Sequence, residues 1–123
     1  RVVDAVQRLS ALKAAGIAPL PVVTGQDAEL AALQRIVSGD QYMTVYKDIR
    51  AEASLAAEVA VALIRGEPIT SNFRLDGTPT TLLTAEVVTI ENLRETVLAD
   101  GIYRIDELCT PEYAAACAAA GIR

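Results

Sequence analysis

Two charged side chains stand where an α/β protein can do chemistry. Asp27 follows the short β-branched run Val22-Val23-Thr24 in the turn Gly25-Gln26-Asp27, and Lys47 follows the run Tyr42-Met43-Thr44-Val45-Tyr46. In an open parallel sheet, ligands bind outside the carboxyl ends of the strands. Neighbouring strands of one βαβ unit would bring these two ends to the same rim. A carboxylate accepts from two hydroxyls at once, and an ammonium donates up to three hydrogen bonds. Their opposite charges suit a neutral, polyhydroxylated ligand. Each residue also has an ordinary structural reading, Asp27 as the cap of the next helix and Lys47 as a solvated ammonium at a strand end. The readings coexist, because a capping carboxylate keeps a second oxygen available.

Other chemistries are disfavoured by composition. The 123 residues contain no His and two Cys, so the usual general base near neutral pH is missing and a four-ligand Cys/His zinc site is excluded. Without His no Ser-His pair forms. Gly25 stands alone after its strand, so the glycine-rich phosphate loop of a nucleotide fold is lacking. A formal charge of −5 argues against a nucleic-acid partner, whose affinity rests on clustered Lys and Arg. An enzyme using Lys47 as nucleophile would need a depressed lysine pKa, and a neighbouring Asp27 would do the opposite. Asp48, Glu52 and Glu58 read as the acidic first turn and solvated face of a helix. No catalytic residue, metal or cofactor is expected.

The elements that would hold Asp27 and Lys47 alternate. Apolar positions over residues 2–15 have helical spacing, with Gly16 as the stop. The run 22–24 reads as a buried strand, residues 28–38 as a helix capped by Asp27, and 42–46 as a second strand. A long helix follows over 50–65 with Gly66 as its stop. Helix, strand, helix, strand, helix with short connections predicts an α/β architecture, an open parallel sheet flanked by helices. Beyond Gly66, residues 67–79 read as a long loop with one edge strand at most, and 80–84 as extended. Thr89 is placed to cap a helix reaching residue 99, and Thr110 with Pro111 to open one over 111–120. Cys109 and Cys117 would be too far apart to bridge on one straight helix. They are either two buried free thiols or a disulfide made by the chain folding back before the cap.

Hydrophobic residues make up 52 % of the chain, yet 22 of them are Ala, so the apolar content is small side chains suited to close helix packing. No apolar run is long enough to suggest a membrane span. The chain starts Arg1-Val2-Val3 and enters helical periodicity at once, which reads as a fragment of a longer protein.

The segments TGQDAEL (24–30), QRI (34–36), the turn Gly39-Asp40-Gln41 and MTVYK (43–47) resemble the D-xylose-binding group of type I periplasmic solute-binding proteins of bacterial sugar ABC transporters. LLTAEVVTIENL (82–93) and TVLADGIY (96–103) extend the likeness. The resemblance implies two Rossmann-like lobes with a monosaccharide, xylose-like, bound in the cleft between them and delivered to a transporter permease. It turns Asp27 and Lys47 towards sugar contact, with Gln26 as a lesser contact. It implies that residues 1–84 belong to the carboxyl-terminal sugar-binding lobe. Residues 85–123 would be the last crossover and helices that pack on an amino-terminal lobe outside this sequence. It also implies a periplasmic or extracellular location, with a lipoprotein anchor conceivable, where a Cys109–Cys117 disulfide fits the oxidising conditions. The sugar-sensing core of a transcription regulator, which shares the two-lobed fold, is the alternative.

Overall fold

The computed structural model describes residues 5–123 and, within the first helix, side chains from Gln7 onward. The expected helix start at Val2 and the side chains of Val2, Val3 and Val6 lie outside the described residues. The chain forms two compact units, Arg1–Tyr46 with Glu86–Arg123, and Lys47–Ala85.

In the first unit, α1 (Ala5–Ala14) is followed by α2 (Leu30–Val37) and strand β1 (Thr44–Tyr46). Leu9 of α1 packs with Val23, flanked by Leu12 and Leu20. Lys13 ties the same helix to Asp40 at 2.6 Å. The helix α2 buries Ala32, Leu33, Ile36 and Val37, one stripe at three- and four-residue spacing. The strand β1 has a neighbour on each side. Thr24 bridges Met43 in parallel, and β4 (Glu86–Val88) pairs antiparallel with it, Val88 opposite Thr44 and Glu86 opposite Tyr46. The expected strand at 22–24 is thus reduced to a bridge and its rungs.

The segment after β4 turns through Thr89, whose carbonyl accepts from Leu93 N at 3.0 Å. The α-helix expected over 89–99 is instead a turn followed by a π-helical stretch, Arg94–Leu98. This wider winding still places Leu93 and Val97 inside, each 0 % exposed. Two short helices, α4 (Ile105–Leu108) and α5 (Ala114–Ala119), complete the unit. Thr110 does not cap α5. Its carbonyl accepts from Tyr113 N at 2.8 Å, closing a turn that holds Pro111 and delays the helix to Ala114.

The larger core joins α2 and β1 to the carboxyl-terminal segment. Leu33, Ile36 and Val37 of α2 and Tyr46 of β1 cluster with Val88, Leu93, Val97, Leu108, Cys117 and Ile122. The carboxyl-terminal residues pack on α2 and β1, with Leu93, Val97 and Leu108 fully buried there. The division between the two units falls at Tyr46/Lys47 and Ala85/Glu86.

The second unit holds α3 (Ile49–Arg65) and a hairpin, β2 (Phe73–Leu75) with β3 (Thr78–Thr80). Asp48 caps α3, its Oδ1 accepting from Arg50 N at 2.9 Å and Ala51 N at 3.2 Å. Gly66 ends it at φ +68. The hairpin turn is Asp76-Gly77 with φ +48 and +80, both left-handed as a two-residue hairpin loop requires. Asn72 braces it, exchanging bonds with Leu82 at 2.8 and 3.0 Å. The helix α3 buries no side chain below the surface, and Leu63, Ile64, Phe73 and Leu75 are all exposed. Among the described residues no helix is long and apolar enough to cross a membrane.

Candidate functional site

Asp27 lies at the end of a ladder of backbone bonds inside the first unit. Tyr42 N donates to Val23 O at 2.8 Å, Gly25 N to Met43 O at 2.9 Å, and Asp27 N to Val45 O at 2.9 Å. Ala28, 2 % exposed, then donates its N–H to the Oγ1 of fully buried Thr44 at 3.2 Å. These rungs fix the backbone of loop 25–28 along β1. The side chains of Gln26 and Asp27 remain exposed. An exposed carboxylate on a tied backbone is a pre-oriented acceptor, because a ligand does not have to order the loop on arrival.

The same geometry corrects the helix-cap reading of Asp27. Asp27 and Ala28 have φ +77 and +47. Two successive left-handed residues turn the chain away from helical geometry, so α2 starts at Leu30. Glu29 occupies the N-cap without a side-chain bond. Both residues sit in the left-handed region, which disfavours side chains with a Cβ.

Behind the loop lies a polar side chain that the sequence did not single out for a role. Gln41 is 2 % exposed. Its Nε2 donates to Met43 O at 2.9 Å, and its Oε1 accepts from Arg35 Nε at 3.0 Å. A Gln in a Gly-Asp-Gln turn gives no local sign of burial.

Lys47 is the first residue of the second unit and is exposed. There it lines a groove of about 590 Å³ together with Asp48, Leu55, Val59, Ile69 and Leu82. Its exposure is the opposite of the desolvated setting a nucleophilic lysine requires. The neighbouring Asp48 is committed to the α3 cap. So Gln26 and Asp27 share one loop, and Lys47 stands in the other unit.

Cys109 and Cys117 are bridged, with Sγ atoms 2.05 Å apart and Cα atoms 5.9 Å apart. Cys109 closes α4 and Cys117 lies inside α5, so the intervening turn folds the chain back. Arg104, just before α4, binds the Asp106 carboxylate through Nε at 2.8 Å and Nη2 at 2.7 Å. That pair holds the Asp106 carboxyl below the ordinary carboxylate range. A hydrogen bond from the Thr89 hydroxyl does the same for Glu91. Among the described residues no group of three or more Asp, Glu or Cys side chains converges as metal ligands would.

Comparison with known proteins places this geometry in a family. The family described as periplasmic binding protein domain matches residues 3–68. The chain is 43 % identical over 99 residues to the D-xylose-binding periplasmic protein of Haemophilus influenzae, covering 77 % of this chain and 30 % of that protein. It is 33 % identical over 110 residues to the multiple sugar-binding periplasmic receptor of Rhizobium radiobacter, covering 81 % of this chain and 31 % of that protein. The crystal structure of an ABC transporter solute-binding protein from Clostridium phytofermentans with bound β-D-glucose superposes with a TM-score of 0.75 at 28 % identity, over 85 % of this chain and 34 % of that one. The chain thus spans about a third of the length of these relatives. The fold is the type I periplasmic binding protein fold. With more than half of its residues matched by that family, the chain belongs to the periplasmic binding proteins.

Proposed function

We propose that the whole protein is the substrate-binding component of a sugar ABC transporter, taking up a xylose-like monosaccharide and handing it to a permease. The observation that carries this reading is the presentation of Asp27, an exposed carboxylate on a loop tied rung by rung to β1. Its two oxygens accept from vicinal sugar hydroxyls, with Gln26 beside it as a lesser contact. Lys47 donates to a hydroxyl or to the ring oxygen. The relatives are named as sugar-binding proteins, and the reading includes no catalytic step. It places the protein in the periplasm or outside the cell, free or held by a lipid anchor.

The remaining two-thirds of a protein of the relatives' length has a natural place in this reading. The apolar side chains Leu63, Ile64, Phe73 and Leu75 of the second unit are exposed, and the amino-terminal lobe covers such a face.

Calorimetry on the full-length protein with D-xylose and D-glucose tests the reading. Saturable binding of either sugar is expected, and Asp27→Ala removes a charged hydrogen bond, weakening it by roughly 1.5–3 kcal/mol. Unchanged affinity in Asp27→Ala removes this residue from the site.

A further inference from the structure

We propose that Gln41 is a positioning residue for the sugar-binding loop, with Gly25 present to leave it room. This rests on the reading of Asp27 as a sugar contact.

Six of the seven glycines, at 16, 39, 66, 77, 101 and 121, have φ between +67 and +82 and open space where a Cβ would point. Conformation explains them. Gly25 is different, because its φ is not in the left-handed region and a Cβ there would stand 2.5 Å from Gln41 Nε2 and 3.3 Å from its Cδ. What excludes a side chain at position 25 is the Gln41 amide.

That amide is fixed from both ends. Arg35 Nε, in the last turn of α2, holds Oε1, which turns Nε2 towards Met43 O. Met43 O also accepts from Gly25 N. So one carbonyl of the strand carries both the loop and the side chain that props it. Two residues further on, Asp27 and Ala28 adopt positive φ, a conformation that persists only where the surroundings over-determine it. Gln41 supplies part of that determination without any contact between its side chain and a ligand. The alternative role, a buried polar group that merely satisfies Arg35, predicts unchanged exchange at the Asp27 and Ala28 amides when Gln41 is removed.

A double-mutant cycle in the full-length protein separates these roles. The probes are D-xylose and D-glucose affinity, and hydrogen exchange at the Asp27 and Ala28 amides. Gln41→Ala is expected to speed exchange at both amides and to weaken binding. Gly25→Ala is expected to weaken binding by at least about tenfold, since the new methyl must displace either the amide or the loop. In Gly25→Ala/Gln41→Ala the three atoms nearest the new methyl are gone, so its affinity should match Gln41→Ala alone. Losses that multiply, or a Gly25→Ala protein with unchanged affinity and exchange, overturn the proposal. The Asp27→Ala variant keeps the two readings apart. Affinity unchanged in Asp27→Ala with exchange still accelerated in Gln41→Ala defeats the Asp27 reading and leaves Gln41 holding the loop. Affinity lost in Asp27→Ala with exchange unaltered in Gln41→Ala defeats the positioning role alone.

Discussion

Cys109 and Cys117 are joined across eight positions, with Cys117 1 % exposed in the same core as Leu33 and Val97. The bridge links the end of α4 to the interior of α5, two helices of four and six residues. Helices that short do not persist on their own sequence. Closing a loop of this size in the unfolded chain contributes about 2–3 kcal/mol. The double variant Cys109→Ser/Cys117→Ser should lower stability by that amount in urea unfolding. Reductant added to the folded protein should act slowly, since Cys117 must first be exposed. A variant as stable as the parent would show that the core, and not the bridge, holds α4 and α5.

The core itself gives a sharper contrast. Leu93 is 0 % exposed on the turn leading into the π-helical stretch and packs with the residues of α2 and β1. Leu93→Ala should cost about 2–5 kcal/mol. Leu63 on α3 is 61 % exposed, and a surface position of that kind normally changes stability by less than about 0.5 kcal/mol. If the amino-terminal lobe covers α3 in the whole protein, Leu63→Asp will instead destabilise the full-length protein by several-fold more than that surface figure. Chemical unfolding of the two variants decides it, and a neutral Leu63→Asp leaves the apolar face of the second unit unexplained by a covering lobe.

Much of this was legible in the sequence where local chemistry decides the outcome. The bounds of α3 follow from Asp48 and Gly66, a cap and a stop that act within one turn. The Asp76-Gly77 hairpin was also written there, as the two-residue loop that suits strand twist, but the Pro and Gly around it read as plain loop. What could not be read depends on distant partners. The start of α2 is displaced because β1 pulls Asp27 and Ala28 into its ladder. The division at Tyr46/Lys47 leaves no change of composition to mark it. In the candidate site, Asp27 and Lys47 were visible as strand-end polar residues, and Gln26 only through the family resemblance. Gln41 was not, because a Gln in a turn gives no local sign of burial.

Acid stability carries a signature of Arg104 and Asp106. The hydrogen bonds from Arg104 lower the folded-state pKa of Asp106, so the folded state holds its proton less tightly than the unfolded state. That contribution is present above the unfolded carboxyl value of about 4 and is lost as pH falls through the lower folded value. Glu91 acts with the same sign through Thr89. Both are exposed and screened by salt, so the effect is small. Asp106→Asn should flatten the acid limb of a stability–pH curve below about pH 4, its small cost appearing at neutral pH where the pairing is intact and vanishing in acid. An identical acid limb in the variant shows that Arg104 gains nothing from the pairing.

Lys47 offers the cleanest test of the second polar contact. It is exposed, and its neighbour Asp48 already serves α3 as the cap. Lys47→Met keeps the aliphatic stem, which lines the groove of the second unit, and deletes only the ammonium. If that ammonium donates to a sugar oxygen, affinity for D-xylose or D-glucose in the full-length protein should fall by roughly 1.5–3 kcal/mol, about tenfold to a hundredfold. The melting temperature without sugar should hardly move, because exposed substitutions away from caps and cores have small effects. The sugar-induced rise in melting temperature should shrink in step with the affinity. A Lys47→Met protein that binds as the parent does, with the same rise, removes Lys47 from the sugar site.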